Sequence, residues 1–132
     1  MNYLIDTHVF LWAISVPEKL SKKTKNLLLD VDSTKYISLI TFWEISLKFS
    51  TGKLDLKGDL PGNMLFMAKR VGLEVLDLDI DTVSSFYKLP KLGNKDPFDR
   101  MLAWQAINSD CYLITKDKDF DKYRDHGLKT IW

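Results

Sequence analysis

Short apolar runs alternate along the chain with longer segments in which apolar residues recur every three or four positions. A short run between polar residues is typical of a buried strand, whereas the wider spacing is typical of an amphipathic helix. The predicted strands are Tyr3 to Ile5, Tyr36 to Leu39, Glu74 to Leu78, Tyr112 to Thr115 and Thr130 to Trp132. The predicted helices are Val9 to Ile14, Leu20 to Asp30, Thr41 to Gly52, Leu60 to Val71, Thr82 to Tyr87, Pro97 to Ser109 and Phe120 to Arg124.

The alternation of strands with helices predicts the fold class. Strands separated by a helix are joined by right-handed crossovers, so they lie parallel in one sheet that helices cover on both faces. We therefore expect an α/β fold with a central parallel sheet of about five strands. The 132 residues are the length of one domain, and no linker or repeat divides them. We expect residues 1–132 to form that domain.

Composition excludes several classes of protein. Hydrophobic residues make up 45% of the chain and charged residues 28%, which is globular rather than disordered composition. The apolar runs are too short to span a membrane and no secretory leader is recognisable, so we expect no membrane association and a cytoplasmic location. Because the net charge is only +1, any binding of nucleic acid must depend on local patches of lysine and arginine.

Acidic side chains recur beside the carboxyl ends of the predicted strands, which is where α/β sheets bind their ligands. Asp6 ends the first strand and Asp117 follows the fourth. Glu44 lies one turn into the helix after the second strand, and Asp99 lies in the first turn of the helix before the fourth. If the first and fourth strands are neighbours, Asp6 and Asp117 are about 5 Å apart. Carboxylates this close repel one another unless a cation lies between them.

The residue types in this cluster indicate which cation and which reaction to expect. The single Cys111 and the absence of a His pair exclude a Cys/His site. Carboxylate oxygens suit hard ions such as Mg²⁺ and Mn²⁺, which also bind phosphate oxygens. Such ions activate water and stabilise a leaving oxygen, so hydrolysis of phosphodiester bonds is the reaction that the cluster favours.

Several of these acids also have a structural interpretation. Glu44 follows Thr41 by three residues, which is the pattern of a capping box at the start of a helix. Asp96 is placed to cap the helix that contains Asp99, and the helix dipole alone favours an acid at Asp99. A carboxylate that directly ends a buried strand, as Asp6 does, needs a partner. Local sequence therefore leaves the role of every acid except Asp6 open.

Other residues near the cluster are open as well. Asp119 is a rival to Asp117, because both follow the fourth strand within two residues of each other. His8 and His126 offer no pair for acid–base catalysis. Trp12 is expected to contribute to the core or to a subunit interface, and stacking on a nucleobase is the alternative.

Four segments of the chain form a recognisable pattern: Leu4 to His8, Ser38 to Ile45, Asp96 to Ala103 and Leu113 to Asp117. In order and spacing they resemble the PIN-domain ribonucleases, and within that family the VapC-type toxins of toxin–antitoxin pairs. The resemblance covers nearly the whole chain. Many relatives carry His at the position of Asn94, two residues before Asp96, so a role assigned to that His does not transfer to this chain.

The resemblance implies a PIN-like three-layer α/β/α domain and a specific site. It implies that Asp6, Glu44, Asp99 and Asp117 are the catalytic residues and hold Mg²⁺ or Mn²⁺. It further implies cleavage of RNA, homodimerisation, and neutralisation by a cognate antitoxin protein that covers the acidic pocket. The polar residues expected to support the four acids are Thr7, Asp96, Arg100, Thr115 and Asp119.

Two alternatives to a toxin are open at this point. The first is a PIN-type nuclease that processes RNA as a housekeeping enzyme. The second is a receiver-like or flavodoxin-like signalling module, which shares the length and the α/β pattern. A receiver-like module is expected to have adjacent acids after its first strand, whereas Asp6 is followed by Thr7.

Overall fold

A computed structural model describes all 132 residues of the protein as five strands and six α-helices, with 3-10 turns between some of them. The strands are β1 (Asn2–Ile5), β2 (Thr34–Ser38), β3 (Glu74–Leu76), β4 (Tyr112–Ile114) and β5 (Lys129–Ile131). The helices are α1 (Thr7–Ser15), α2 (Lys22–Leu29), α3 (Leu39–Ser50), α4 (Met64–Arg70), α5 (Ile80–Ser84) and α6 (Pro97–Asn108).

The five strands form one parallel sheet in the order β3-β2-β1-β4-β5. This confirms the predicted α/β class and shows that the first and fourth strands are neighbours, which was the condition for Asp6 and Asp117 to meet. Ile5 is in register with Ile37 on one side and with Ile114 on the other. The carboxyl ends of β1, β2 and β4 therefore lie level at one edge of the sheet. The strand that follows β1 in the chain, β2, pairs with one side of β1, whereas β4 pairs with its other side. The carboxyl end of β1 is therefore a topological switch point of the sheet.

Alternating residues of the strands pack on opposite faces of the sheet, which produces two separate cores. Tyr3 and Ile5 belong to a core that includes Phe10 of α1 and Met64 of α4. Leu4, between them in the sequence, belongs to the other core together with residues of α6 and of the 3-10 turns after β4. Helices thus cover both faces, and the architecture has three layers, as the sequence predicts.

The start of α3 differs from the sequence prediction. The helix begins at Leu39 and not at Thr41, because the hydroxyl of Ser38 accepts a hydrogen bond from the backbone N–H of Ile40 and caps it. Glu44 consequently lies in the second turn, beyond the reach of a capping box. The structural interpretation of Glu44 as a capping residue is therefore wrong.

The other boundaries shift by a few residues. The predicted helix from Leu60 is a 3-10 turn at Pro61–Asn63 followed by α4, and the predicted helix after β4 is a 3-10 turn that spans Lys118–His126. The prediction that Asp96 caps the helix starting at Pro97 is confirmed. None of the helices is long and apolar enough to cross a membrane.

Candidate functional site

The Asp6 side chain lies at the end of β1 and is only 3% exposed. Its Oδ2 accepts a hydrogen bond of 2.8 Å from the Thr115 hydroxyl, whereas its Oδ1 is buried and has no partner. Asp6 occupies the N-cap position of α1 without a regular capping hydrogen bond from its side chain, although the backbone N–H of His8 is near enough to favour the charged carboxylate. Burial raises the pKa of the Asp6 carboxyl, and the hydrogen bond from Thr115 opposes that shift. One acceptor oxygen at the centre of the sheet edge is therefore left without a ligand.

Glu44 projects from α3 towards the same edge and is also buried, at 2% exposure. The hydroxyl of Thr7, the first residue of α1, donates a hydrogen bond of 2.7 Å to Glu44 Oε1. The Thr7 hydroxyl also lies 3.1 Å from the hydroxyl of Thr41, one turn before Glu44. The buried hydroxyls of Thr7 and Thr41 thus fix the position of Glu44 Oε1. Because Thr7 directly follows Asp6, this places Glu44 close to Asp6.

Asp99 lies in the first turn of α6, and Asp96 fixes where that turn begins. The Oδ1 atom of Asp96 accepts hydrogen bonds from the backbone N–H groups of Phe98, at 2.8 Å, and Asp99, at 3.3 Å. The pKa of Asp99 is raised to about 7, first by burial and then by the negative charges of Asp96, Asp6 and Glu44. Acids that are far apart in the sequence are therefore close enough in the fold to repel one another.

Asn94 lies beside these acids, two residues before Asp96. Its Oδ1 accepts a hydrogen bond of 3.0 Å from the backbone N–H of Asp96. The Asn94 side chain also stabilises the charged form of Asp99 and so opposes the increase in the pKa of that carboxyl. Asn94 therefore supports the start of α6 without adding a titratable group.

Asp117 lies on a different side of Asp6, at the start of the 3-10 turn after β4. Its backbone N–H donates to the Thr115 hydroxyl, and its Oδ1 accepts a hydrogen bond of 2.9 Å from the backbone N–H of Asp119. Asp117 is exposed but lines a pocket together with Asp6. Asp119 is also exposed and does not line that pocket.

Arg100 points away from the acids. Its Nη2 donates a hydrogen bond of 3.1 Å to the carbonyl of Leu89, and its guanidinium lies 4.8 Å from the centre of the Phe86 ring. It makes no ion pair with any carboxylate in the structure. Its contacts anchor α6 to the segment before it.

Sequence reasoning missed a cation within the acidic cluster. Lys48, one turn after Glu44 on α3, forms an ion pair with Glu44 Oε2. Burial alone would lower the pKa of Lys48, but the hydrogen bond to Glu44 and the charges of Glu44, Asp96 and Asp99 raise it. The four-residue spacing of Glu44 and Lys48 was the available signal. This spacing alone does not indicate a functional pair, because ion pairs of this kind are usually exposed and weak. The Glu44 carboxylate differs in being buried.

The donor atoms of this cluster are all carboxylate oxygens, which suits a hard divalent ion. The partnerless Oδ1 of Asp6 is the atom that most needs such a ligand. No group of three or more His, Cys, Asp or Glu side chains already stands in a ligating arrangement, however. An ion would therefore draw the carboxylates closer together than they lie here.

The comparison with family models matches residues 3–125 to the PIN domain. The chain belongs to the PIN domain family. The alternative of a receiver-like or flavodoxin-like module is therefore wrong. The topology agrees, since flavodoxin-like sheets have the strand order 2-1-3-4-5 and this sheet has the order 3-2-1-4-5. No curated protein matches the chain.

Solved structures show the same PIN fold. The chain is similar to one in the structure of VapBC2 from Rickettsia felis bound to a promoter DNA fragment, with a TM-score of 0.71, 23% identity and coverage of 99% of this chain and 98% of that chain. It is also similar to a chain of VapBC-1 from nontypeable Haemophilus influenzae, with a TM-score of 0.69, 20% identity and coverage of 99% and 97%. A third is VapBC-5 from Mycobacterium tuberculosis, with a TM-score of 0.62, 19% identity and coverage of 98% and 97%.

We expect the metal-free PIN domain to become less stable as pH rises from about 5 to about 8. The pKa of Asp99 is raised to about 7 in the folded protein, so the folded state binds a proton that the unfolded chain releases at lower pH. The stability this proton confers is complete below the usual aspartate pKa and is lost as pH rises through about 7. Thermal unfolding in EDTA across this range should show Asp99→Asn with the shallower decline and the higher Tm at the alkaline end. Equal declines of Tm with pH in the wild type and in Asp99→Asn would show that Asp99 does not cause the pH dependence.

Lys48→Met should destabilise the metal-free protein by about 1–3 kcal/mol, because it leaves the buried Glu44 carboxylate without its cation. Urea denaturation measures the free energy of unfolding. The matched control is Lys57→Met, which removes an exposed pair with Asp55 and should change the free energy of unfolding much less than Lys48→Met does. A loss for Lys48→Met no larger than that of the control would show that the pair has no structural role.

Proposed function

We propose that this PIN domain is a Mg²⁺- or Mn²⁺-dependent endoribonuclease and the toxin of a toxin–antitoxin pair. The observation that carries the proposal is the buried, partnerless Oδ1 of Asp6 at the end of β1. Glu44 and Asp99, from two different helices, add negative charge around it. Membership of the PIN family supports nuclease activity, and the fold shared with VapBC structures supports the toxin assignment.

In this proposal the ion is held by Asp6, Glu44, Asp99 and Asp117. Their carboxylates supply oxygen ligands without any soft donor, which favours Mg²⁺ or Mn²⁺ over Zn²⁺. When bound, such an ion supplies Lewis-acid stabilisation of charge on a phosphodiester and lowers the pKa of water. The four acids come from four different elements, so the fold must be intact before they meet.

The chain's own residues position these acids. Thr115 donates to one oxygen of Asp6 and leaves the other free, so it orients the carboxylate. Thr7 likewise orients Glu44 by donating to its Oε1, while Oε2 is paired with Lys48. Asp96 caps α6 and thereby places Asp99 in a fixed first turn. Hydrogen bonds of this kind to ligating carboxylates are commonly worth 10-fold to 100-fold in metal affinity or activity, in order of magnitude.

A single-stranded RNA is the proposed substrate, and a protein is the proposed inhibitor. The acids attract any cation, as the ion pair of Lys48 with Glu44 illustrates within the chain itself. An antitoxin could therefore inhibit by placing an Arg or Lys among the acids. Because chains of this fold occur in VapBC complexes, we propose a cognate antitoxin and a homodimeric toxin. Co-expression with the neighbouring gene distinguishes this toxin from a housekeeping PIN nuclease.

Asp6→Asn and Asp99→Asn should each lower RNA cleavage by more than about 100-fold while the fold is retained. Both substitutions remove a proposed ligand and a repelling charge, so neither should unfold the metal-free protein. The assay is hydrolysis of total cellular RNA by purified, partner-free protein, with and without Mn²⁺. Asp59→Asn, an exposed acid in the loop before α4, is the control and should keep full activity. A folded Asp99→Asn variant with normal activity would exclude Asp99 from the site.

Mn²⁺ should raise the Tm of the wild-type protein, because an ion that binds only the folded chain stabilises it by mass action. The gain is about 2.7 kcal/mol at a hundredfold excess over the dissociation constant. Asp6→Asn should lose most of this gain, since it removes the oxygen that has no other partner. Differential scanning fluorimetry measures both. Equal shifts in wild type and Asp6→Asn would place the ion elsewhere.

A further inference from the structure

A pocket of about 270 Å³ opens directly beside Asp6. Its volume is just below the roughly 300–1,000 Å³ typical of small-molecule pockets, so it has room for only a small ligand or one part of a larger one. Two of its walls are the proposed metal ligands Asp6 and Asp117, so whatever enters it lies next to the reacting phosphate. The remaining lining residues are His8, Val9, Trp12 and Lys116.

The Trp12 ring forms the apolar wall of this pocket and is held in place by aromatic neighbours. Its centre lies 6.0 Å from that of Trp132, with the rings edge to face, and 6.3 Å from that of His8. The ammonium of Lys116 lies 6.0 Å from the centre of the Trp12 ring. The ammonium of Lys19 lies 5.7 Å from the same ring centre. An indole beside lysine ammonium groups combines a surface that stacks on a nucleobase with charge that binds its phosphate.

A second cavity of about 460 Å³ shares Lys116 and Asp117 with this pocket, so the two are adjacent. Its wall adds Lys23, Lys118 and Arg124. Arg124 is paired with Asp121, but none of the lysines in this cavity forms an ion pair. The cavity therefore carries unneutralised positive charge that continues away from the acids, although the net charge of the whole chain is only +1.

We propose that single-stranded RNA leaves the acidic site on this side, with a base against Trp12 and its following phosphates against Lys116, Lys118 and Lys23. The proposal rests on the nuclease function proposed above, since the RNA on at least one side of a phosphate held among the acids must follow the surface next to Asp6 and Asp117. On the α3 side the nearest cation, Lys48, is already paired with Glu44. An acidic peptide would use the lysines but has no need of an aromatic wall beside metal ligands, so RNA fits better.

The test is binding of a fluorescently labelled single-stranded RNA of about ten nucleotides, with all variants built on Asp99→Asn so that cleavage does not interfere. Anisotropy gives the Kd at several salt concentrations, and intrinsic fluorescence reports stacking on tryptophan. Lys116→Gln, Lys118→Gln and Lys23→Gln should each weaken binding several-fold and reduce the salt slope by about 0.7, as expected for one lost phosphate contact to a single strand. Trp12→Leu should weaken binding by about 5-fold to 150-fold and abolish most of the quenching.

Two control variants are matched to the lysine and tryptophan substitutions. Lys88→Gln removes the same charge from an exposed lysine beside a different cavity and should leave the Kd unchanged. Trp43→Leu removes a more exposed indole, packed against Phe98 on the α3 side, and should leave the quenching intact. Because Trp12 also contacts the core, its variant is checked by thermal unfolding, and Trp12→Phe should restore much of the affinity. Lys116 is exposed, so its substitution tests the pocket without affecting the fold.

The inference is overturned if Lys116→Gln and Trp12→Leu bind like the parent, if Trp43→Leu abolishes the quenching instead, or if the parent binds no RNA. It is also overturned if these substitutions weaken only the binding of a partner protein. Failure of the proposed function has a different signature. An Asp99→Asn parent that still cleaves the labelled RNA removes Asp99 from the site, whatever the lysine and tryptophan variants show.

Discussion

The candidate site is organised around a concentration of negative charge that the protein only partly neutralises by itself. At the carboxyl end of β1 the buried Asp6 keeps one oxygen without a partner, and Glu44 and Asp99 raise the local negative potential further. Leaving a buried polar atom unsatisfied costs free energy, in general about 1–3 kcal/mol. A cost of this kind persists where function requires it, and a cation bound among these oxygens would turn repulsion into ligation.

The hydroxyl and amide groups around the acids orient the carboxylates but do not neutralise their charge. Thr115 and Thr7 each bind one oxygen of a carboxylate and leave the other available or paired with a cation. Asn94 and Asp96 hold the first turn of α6 in place. Lys48 offsets part of the charge through its ion pair with Glu44. A bound metal ion and Lys48 therefore compete for the Glu44 carboxylate. Because the Lys48–Glu44 pair stabilises the metal-free protein, a stronger pair makes metal binding weaker.

Much of this could be predicted from the sequence because it follows from periodicity. The spacing of apolar residues predicts strands and helices, their alternation predicts a parallel sheet, and the position of Asp6 directly after a strand predicts an acid at the sheet edge. The burial of Glu44 and the position of His8 on the pocket wall could not be predicted, because they depend on how α1 and α3 pack against the sheet edge. The spacing of Glu44 and Lys48 allows an ion pair, but local patterns do not show that the carboxylate in this pair is buried. Nor do they show that Ser38, and not Thr41, caps α3.

The central claim is that a hard divalent ion binds at the end of β1, and anomalous scattering from Mn²⁺ tests it most directly. A crystal of the partner-free protein soaked in Mn²⁺ is measured at a wavelength where manganese scatters anomalously. The account predicts a peak about 2.0–2.2 Å from Asp6 Oδ1, with Glu44, Asp99 and Asp117 drawn towards it and Lys48 released from Glu44. A protein that cleaves RNA with Mn²⁺ but shows no peak at Asp6, or shows its peak elsewhere, would contradict the account.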